Sequence, residues 1–276
     1  MFNRKSKYFS HKTIIIIGGS EGIGLGVAEE ISRYSCNLVV VSRNRIKLER
    51  AVKYLELTSH STTSISYFVA DINDKESLAA LKNQVLSQFG DIDIVINSAG
   101  VAISRYFLDY KSSELKALID VNYFGPINIF QTFLPFFQEK QKGHIVQTAS
   151  VLGFMGLFGF SAYAASKHAL VGLCESLYSE YKNQNIRISV LCPPATHTPG
   201  FEVENLTKPK AVLAAERKIP PITVGLVAKT LTNAMPKNTF MIVPSFLARL
   251  VYMAHRFAPR AVRNMSLLNK ADSVYE

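Results

Sequence analysis

The chain has 276 residues, 48% of them hydrophobic, enough for one large domain with a full core. No Pro/Gly/Ser-rich linker, internal repeat or low-complexity tract divides it, and its three cysteines, Cys36, Cys174 and Cys192, lack metal-ligand spacing and read as buried free thiols of a reducing compartment. The net charge of +10 is uneven, with eleven Lys/Arg against three Asp/Glu from Lys208 to Glu276; with no zinc-finger spacing or aromatic RNA-binding motif to support nucleic acid, an anionic membrane or a solvated basic surface remains.

The N-terminal segment Met1 to Lys12 is basic. The apolar run Ile14 to Ile17 after it is too short for a signal-peptide core and fits a buried strand. Short apolar runs then alternate with amphipathic stretches. The pattern predicts strands at Thr13–Ile17, Asn37–Ser42, Ser64–Ala70, Ile92–Ile96, Gly143–Ala149, Ile186–Cys192 and Phe240–Val243. Helices are predicted near 22–34, 44–57, 75–89, 112–136, 161–183 and 223–235. Such alternation implies an α/β fold over residues 1–243, a single doubly wound (Rossmann) domain with a seven-stranded parallel sheet. Ligands in such folds bind at the carboxyl ends of the strands. The proline-rich stretch 193–221 reads as a lid with a short helix inside it. Residues 244–276 read as a C-terminal amphipathic, basic extension.

Directly after the first strand comes Gly18-Gly-Ser20-Glu-Gly22-Ile23-Gly24, followed by a helix. Glycines in this place let backbone N–H groups approach a pyrophosphate at a helix N-terminus. The second strand ends in Ser42-Arg43-Asn44, without the acidic residue that would hold ribose hydroxyls. Arg43 suits a 2′-phosphate instead, so NADP(H) is the expected cofactor, although Glu21 adds an opposing charge nearby. Asp71, after the third strand, is placed either to accept from an adenine amino group or to cap the helix that begins at Lys75.

Tyr163 and Lys167 lie four residues apart in Ser161-Ala-Tyr-Ala-Ala-Ser-Lys167, with Ser150 thirteen residues before the tyrosine. Four residues place both side chains on one helix face. An ammonium beside a phenol favours phenolate and would lower the tyrosine pKa, giving a general acid/base near neutral pH. Taken alone, the spacing is better explained by an exposed lysine on an ordinary amphipathic helix.

Together these residues resemble the short-chain dehydrogenase/reductase family over about Thr13 to Val243. The resemblance adds Asn97-Ser-Ala-Gly100 after the fourth strand and Asn122 in Asp120-Val-Asn-Tyr-Phe124. It implies a catalytic set of Asn122, Ser150, Tyr163 and Lys167. Ser150 would polarise a carbonyl oxygen and Tyr163 would donate the proton. Lys167 would bind the nicotinamide ribose and activate the tyrosine, and Asn122 would hold a relay water behind it. Gly18, Ser20, Gly22, Ile23, Gly24, Arg43, Asp71, Asn97, Gly100, Tyr163, Lys167 and Thr198 would bind NADPH/NADP. Three departures stand out: Ile17 in place of a threonine, Ser98 in place of an asparagine, and Pro194 in place of a glycine. Pro194 fixes φ and should reshape the rim of the nicotinamide site.

Within the family, Gly156-Leu-Phe-Gly-Phe-Ser-Ala-Tyr163 and Pro193-Pro-Ala-Thr-His-Thr-Pro-Gly-Phe through Pro209 are similar to the branch that reduces 3-dehydrosphinganine to sphinganine. A long-chain apolar ketone is therefore the expected substrate. Reduction of a 3-oxoacyl or steroid ketone, or a non-catalytic dinucleotide-binding scaffold, are the alternatives. The run Val151–Phe160 reads as an apolar wall for an alkyl chain, covered by Phe201, Val203 and Leu206, or else as core or a dimer interface. None of His144, His168 and His197 has ligand spacing, and no metal is expected. In the extension, Arg249, Arg256, Arg260 and Arg263 share a helical face beside Phe246, Leu247, Leu250, Val251, Met253 and Phe257. Peripheral contact of 244–263 with the cytosolic face of a membrane is expected, with packing on the domain as the alternative. The resemblance also implies a cytoplasmic homo-oligomer.

Overall fold

The computed structural model describes residues 2–217 and 219–260. Arg263 and the rest of 261–276, expected to form part of the extension, lie outside the described residues. Helix α1 (Phe2–Phe9) precedes β1 (Thr13–Ile17), α2 (Gly22–Ser32), β2 (Asn37–Ser42), α3 (Arg45–Thr58), β3 (Ser64–Val69), α4 (Lys75–Phe89) and β4 (Ile94–Asn97). Then follow α5 (Ser112–Ile119), α6 (Gly125–Lys140), β5 (Gly143–Thr148), α7 (Ser161–Tyr181) and β6 (Ile186–Leu191). The chain ends through α8 (Pro199–Asn205), α9 (Lys210–Glu216), α10 (Val224–Ala234), β7 (Met241–Ile242) and α11 (Phe246–Phe257).

The seven strands form one sheet in the order β3-β2-β1-β4-β5-β6-β7, and every pairing is parallel. Alternation along β1 explains why its isoleucine run is continuous. Ile15 and Ile17 enter the core on one face with Val39 and Val41, and Ile14 and Ile16 enter the other with Leu38 and Val40. Each fully buried side chain of this size stabilises the fold by roughly 1.5–3 kcal/mol. Strand β1 pairs with β2 on one side and β4 on the other. The strand order reverses there, opening a crevice at the carboxyl ends Ile17 and Asn97.

Three stretches depart from expectation. The helix predicted over 112–136 is interrupted by a π-helical turn, Asp120–Phe124, closed by the Gly125 N–H donating to the Asp120 carbonyl. Pro126 follows at the start of α6 and has no N–H to donate, so the regular ladder cannot run through this point. Helix α1 was not expected. It is anchored by Phe9, fully buried and stacked on Tyr34 with ring centroids 5.4 Å apart. The stretch 193–221 holds two short helices, α8 and α9, rather than one. It is tied to the body by a parallel bridge between Thr196 and Ile222. Helix α11 buries Ala248 in the main core and sets Tyr252 edge-on to Phe154, centroids 5.0 Å apart.

Candidate active site

The loop after β1 is shaped by two glycines. Gly18 has φ +75°, and a Cβ on it would lie 2.5 Å from the Ala99 nitrogen. A Cβ on Gly24 would lie 2.1 Å from the Gly18 carbonyl oxygen, so α2 can sit this close to the loop only without a side chain there. The loop, the N-terminus of α2 and the ends of β2 and β4 enclose a groove of about 580 Å³. Gly18, Ser20, Gly22, Ile23, Arg43, Asp71, Gly100 and Thr198 line it. Backbone donors at a helix N-terminus, a glycine cradle and an adjacent guanidinium fit the pyrophosphate and phosphates of a dinucleotide. Four residues expected to bind the cofactor do not line the groove: Tyr163 and Lys167, which lie at its near end, and Gly24 and Asn97. Gly24 supports the loop from inside, and buried Asn97 donates to the side-chain Oε1 of Gln147 at 2.8 Å while accepting from the Ala99 N–H at 3.0 Å.

At the far end of the groove Arg43 and Asp71 pair at 3.6 Å. Asp71 is not the cap of α4. That position belongs to Asp74, whose carboxylate accepts from the N–H groups of Glu76 and Ser77. Glu21, counted above against a phosphate, is neutralised by Lys47 at 2.7 Å.

At the near end, Ser150 follows β5 and Tyr163 and Lys167 rise from the first turns of α7. The Ser150 hydroxyl accepts from the Leu152 N–H at 3.1 Å. The Lys167 ammonium donates to the Thr148 carbonyl at 3.0 Å and lies 5.8 Å from the centroid of the Tyr163 ring. Lys167 is 4% exposed, and burial pushes it down to about 8 from its usual 10.5, with Cys192 opposing. Tyr163 moves up, not down. Burial raises the phenol, the Glu204 carboxylate raises it further, and only the Ser150 hydroxyl opposes them. The expected lowering by Lys167 is absent because that ammonium faces the ring and the Thr148 carbonyl, not the phenolic oxygen. Asn122 sits in the π turn with both amide N–H donors engaged and its oxygen accepting one hydrogen bond. It donates to the Val101 carbonyl at 2.8 Å and the Ser166 hydroxyl at 3.0 Å, and accepts from the Val101 N–H at 3.0 Å. Its side chain therefore braces the loop after β4 against α7.

Beyond Ser150 and Tyr163 opens a larger cavity of about 760 Å³. Leu152, Met155, Leu157, Phe158, Phe160 and Val212 wall it, and Phe201 and Val203 close it from α8. Cavity and groove share Ile23, Ser98, Ala99, Gly100, Val101, Thr198 and Gly200, so a ligand in one meets a ligand in the other.

The family model of the short chain dehydrogenases matches residues 12–209. The chain belongs to that family. This short-chain dehydrogenase is 34% identical to the 3-ketodihydrosphingosine reductase of Bos taurus over 198 residues, 71% of this chain and 60% of that relative's length. It is 34% identical to the 3-ketodihydrosphingosine reductase of Dictyostelium discoideum over 246 residues, 84% of this chain and 74% of the relative. Among solved structures, a short-chain dehydrogenase/reductase from Burkholderia phymatum in complex with NAD superposes with a TM-score of 0.80 at 24% identity, covering 93% of this chain and 96% of that one. A short-chain dehydrogenase from Sphingobium yanoikuyae in complex with NADPH gives 0.76 at 25% identity, covering 92% and 95%.

Two features of the dehydrogenase's site are not legible in the sequence, and two residues expected at the cavity lie elsewhere. Lys47 lies one helical turn beyond Arg43, and only the fold brings it to Glu21. Glu204 lies on the lid, where a charged residue reads as solvent-facing, yet its side chain is 14% exposed and its carboxylate acts on Tyr163. Leu206, expected over the cavity, is 84% exposed and does not line it. Phe154, read as part of the wall, turns away to Tyr252 on α11.

Proposed function

We propose that the chain reduces the ketone of a long-chain amino ketone, 3-dehydrosphinganine, with NADPH. The observation that carries this reading is the continuity of groove and cavity: a groove that fits a dinucleotide opens directly onto an apolar chamber of about 760 Å³ that holds Ser150 and Tyr163. Similarity to the bovine and Dictyostelium reductases supports the substrate.

The Gly18–Ile23 loop would hold the pyrophosphate, and Arg43 the 2′-phosphate, released from Asp71 or shared with it. Asp71 would accept from the adenine amino group. Lys167 would hold the nicotinamide ribose, and Thr198 would contact the carboxamide. When bound, the reduced nicotinamide supplies a hydride. As charge develops on the carbonyl oxygen, the Ser150 hydroxyl holds that oxygen and the Tyr163 hydroxyl donates its proton to it. The upward shift of Tyr163 keeps the proton on the phenol until that moment. Lys167, anchored on Thr148, supports the phenolate left behind through its charge. Asn122 holds the loop and α7 in register so that these groups converge. The apolar wall and α8 exclude water from the reacting atoms.

Helix α11 suits an enzyme whose substrate resides in a bilayer. Leu247 and Val251 reach the cavity while Phe246, Leu250, Met253 and Phe257 stay exposed. Among the described residues no helix is long and apolar enough to cross a membrane, so contact would be peripheral.

The test is turnover of NADPH by purified protein with 3-dehydrosphinganine, a 3-oxoacyl thioester and a ketosteroid. Reduction of the sphingoid ketone ahead of the others is the expected result. Reduction of another ketone alone would overturn the substrate assignment.

A further inference from the structure

The lid contains a buried charge cluster that proton and hydride transfer leave unused. Lys208, between α8 and α9, has a side chain 0% exposed. Its ammonium pairs with Glu204 Oε1 at 2.8 Å and Glu216 Oε2 at 2.6 Å, and donates to Asn205 Oδ1 at 2.8 Å. Those contacts account for all the N–H donors a lysine has. The same ammonium lies 4.1 Å from the centroid of the Phe201 ring, inside the lid.

Two carboxylates thus share one cation, and among the described residues no other cation pairs with either. The cluster holds one negative charge in excess. Both carboxylates face the large cavity, whose other walls are mainly aliphatic and aromatic. One oxygen of each, Glu204 Oε2 and Glu216 Oε1, has no hydrogen-bond or ion-pair partner among the described residues. A surplus charge facing a poorly hydrated apolar chamber is costly unless a cation comes to meet it. A chamber meant only for hydrocarbon would be better lined without it.

The position of this charge narrows what the cation can be. Glu204 and Tyr163 line the same cavity, and Phe160 bridges them: its ring centroid lies 6.2 Å from that of Tyr163 and 5.9 Å from the Lys208 ammonium that Glu204 pairs with. A cation bound by Glu204 therefore lies beside the carbonyl that Tyr163 serves, with its apolar remainder along Leu157, Phe158 and Phe160. An ammonium on the carbon next to the ketone, followed by an alkyl chain, has that arrangement of charge, carbonyl and hydrocarbon.

We propose that Glu204 is the residue that recognises the substrate's ammonium, so that the lid selects long-chain amino ketones over uncharged ketones of the same length. The inference rests on the amino-ketone reading above and assigns the residue that makes the distinction. Lys208 is a positioning residue. It holds the two carboxylates in the lid, and its charge opposes the upward push that burial and the nearby Glu216 give the Glu204 carboxyl.

The experiment compares kcat/KM for 3-dehydrosphinganine and for its analogue lacking the amino group, in wild type, Glu204→Gln and Glu204→Asp. Wild type should prefer the amine by about tenfold or more, the scale of a charge-assisted hydrogen bond in a partly dry site. Glu204→Gln should collapse that ratio towards one, mainly through KM for the amine, and Glu204→Asp should restore part of it. A ratio unchanged in Glu204→Gln, or no preference in wild type while both ketones are reduced, overturns this inference and leaves the reductase reading standing. Absence of turnover of the amino ketone by wild type overturns both. Should Glu204→Gln fail to fold, wild type decides the matter: hexadecylamine should compete with the ketone about tenfold more strongly than hexadecanol. Equal inhibition by the two would refute the ammonium site.

Discussion

The Lys167 ammonium lies over the face of the Tyr163 ring, 5.8 Å from its centroid, and its hydrogen bond goes to the Thr148 carbonyl at 3.0 Å. The two residues are neighbours through space and charge, not through a bond to the phenolic oxygen. The phenol is then the group that gives up the proton, and Lys167 acts on it only through its charge. Tyr163→Phe should lower ketone reduction by about a hundredfold to ten-thousandfold, the usual worth of a positioned acid. Cofactor binding, measured by fluorescence titration, should change little. Retention of more than a tenth of the wild-type rate would remove Tyr163 from the proton-donor role.

The burial of Lys167 makes a prediction about pH. Its pKa is pushed down to about 8, so the ammonium that supports phenolate formation is present below that value and lost above it. The rate of reduction should fall as pH rises through about 8, and this limb should vanish in Lys167→Met. Stability should move the other way over the same range. The unfolded lysine keeps its proton up to about 10.5, so from about 8 to 10.5 the unfolded chain binds more protons and this group makes the fold more stable as pH rises. A falling rate without a falling melting temperature would separate catalysis from unfolding. A flat rate profile between pH 7 and 10 would contradict the shift.

How much of this could be read in advance depends on whether the deciding contact is local. The isoleucines of β1 and the apolar β2 announce a strand buried on both faces, because alternation is unnecessary when both faces are core. Tyr163 and Lys167 fall on one helix face by spacing alone. The π turn at Asp120–Phe124 was hidden because Pro126 is tolerated in the first turn of a helix, and nothing local shows that a helix has already begun before it. Asp71 and Asp74 both stand before Lys75, and only the backbone geometry assigns the cap to Asp74. Glu204 was missed for a deeper reason. A glutamate in a proline-rich surface segment carries no sign of burial; its environment is created by Lys208, Glu216 and the cavity wall.

The ion pair between Arg43 and Asp71 sets the next expectation, for cofactor choice. Arg43 is mostly exposed, so it can turn from Asp71 to a 2′-phosphate at little cost, and Glu21 is already neutralised by Lys47. Arg43→Asp should move the NADPH/NADH ratio of kcat/KM towards NADH by at least tenfold, by removing a charge-assisted contact and adding repulsion. Lys47→Ala should move it in the same direction by less, because Glu21 is then left uncompensated. Unchanged ratios in both variants would exclude a phosphate contact at the end of β2.

Helix α11 offers a stripe of Phe246, Leu250, Met253 and Phe257, which are 76%, 50%, 49% and 78% exposed. Spacings of four, three and four residues place them on one face of α11, with Arg249 and Arg256 beside it. The protein should sediment with vesicles containing anionic phospholipid, and less so as salt rises. Leu250→Glu combined with Phe257→Glu should abolish that binding without altering the melting temperature, since neither side chain is in the core. Equal sedimentation of this double variant and wild type would move the contact off α11.

The last expectation concerns acid. His144 is buried in β5 between Tyr8, whose hydroxyl lies 2.5 Å from Nδ1, and Ser189, 2.9 Å from Nε2. Burial, with Arg187 nearby, pushes the imidazole down to about 3 from its usual 6.5. Between those values the unfolded chain takes up a proton that the folded chain refuses. Stability should therefore fall as pH drops below 6.5 and continue falling towards 3, by an amount that linkage makes a few kcal/mol. The same contact joins α1 to the sheet, so the N-terminal helix should be the first element to lose protection in hydrogen exchange as the pH is lowered. Replacing the pair together, Tyr8→Phe with His144→Leu, removes the titrating ring without stranding its partner hydroxyl, and Ser189 still donates to the Thr239 carbonyl at 2.7 Å. Melting temperatures of this variant should depend less on pH between 6.5 and 4 than those of wild type. An identical acid limb in both proteins would show that other groups, and not His144, carry the acid sensitivity.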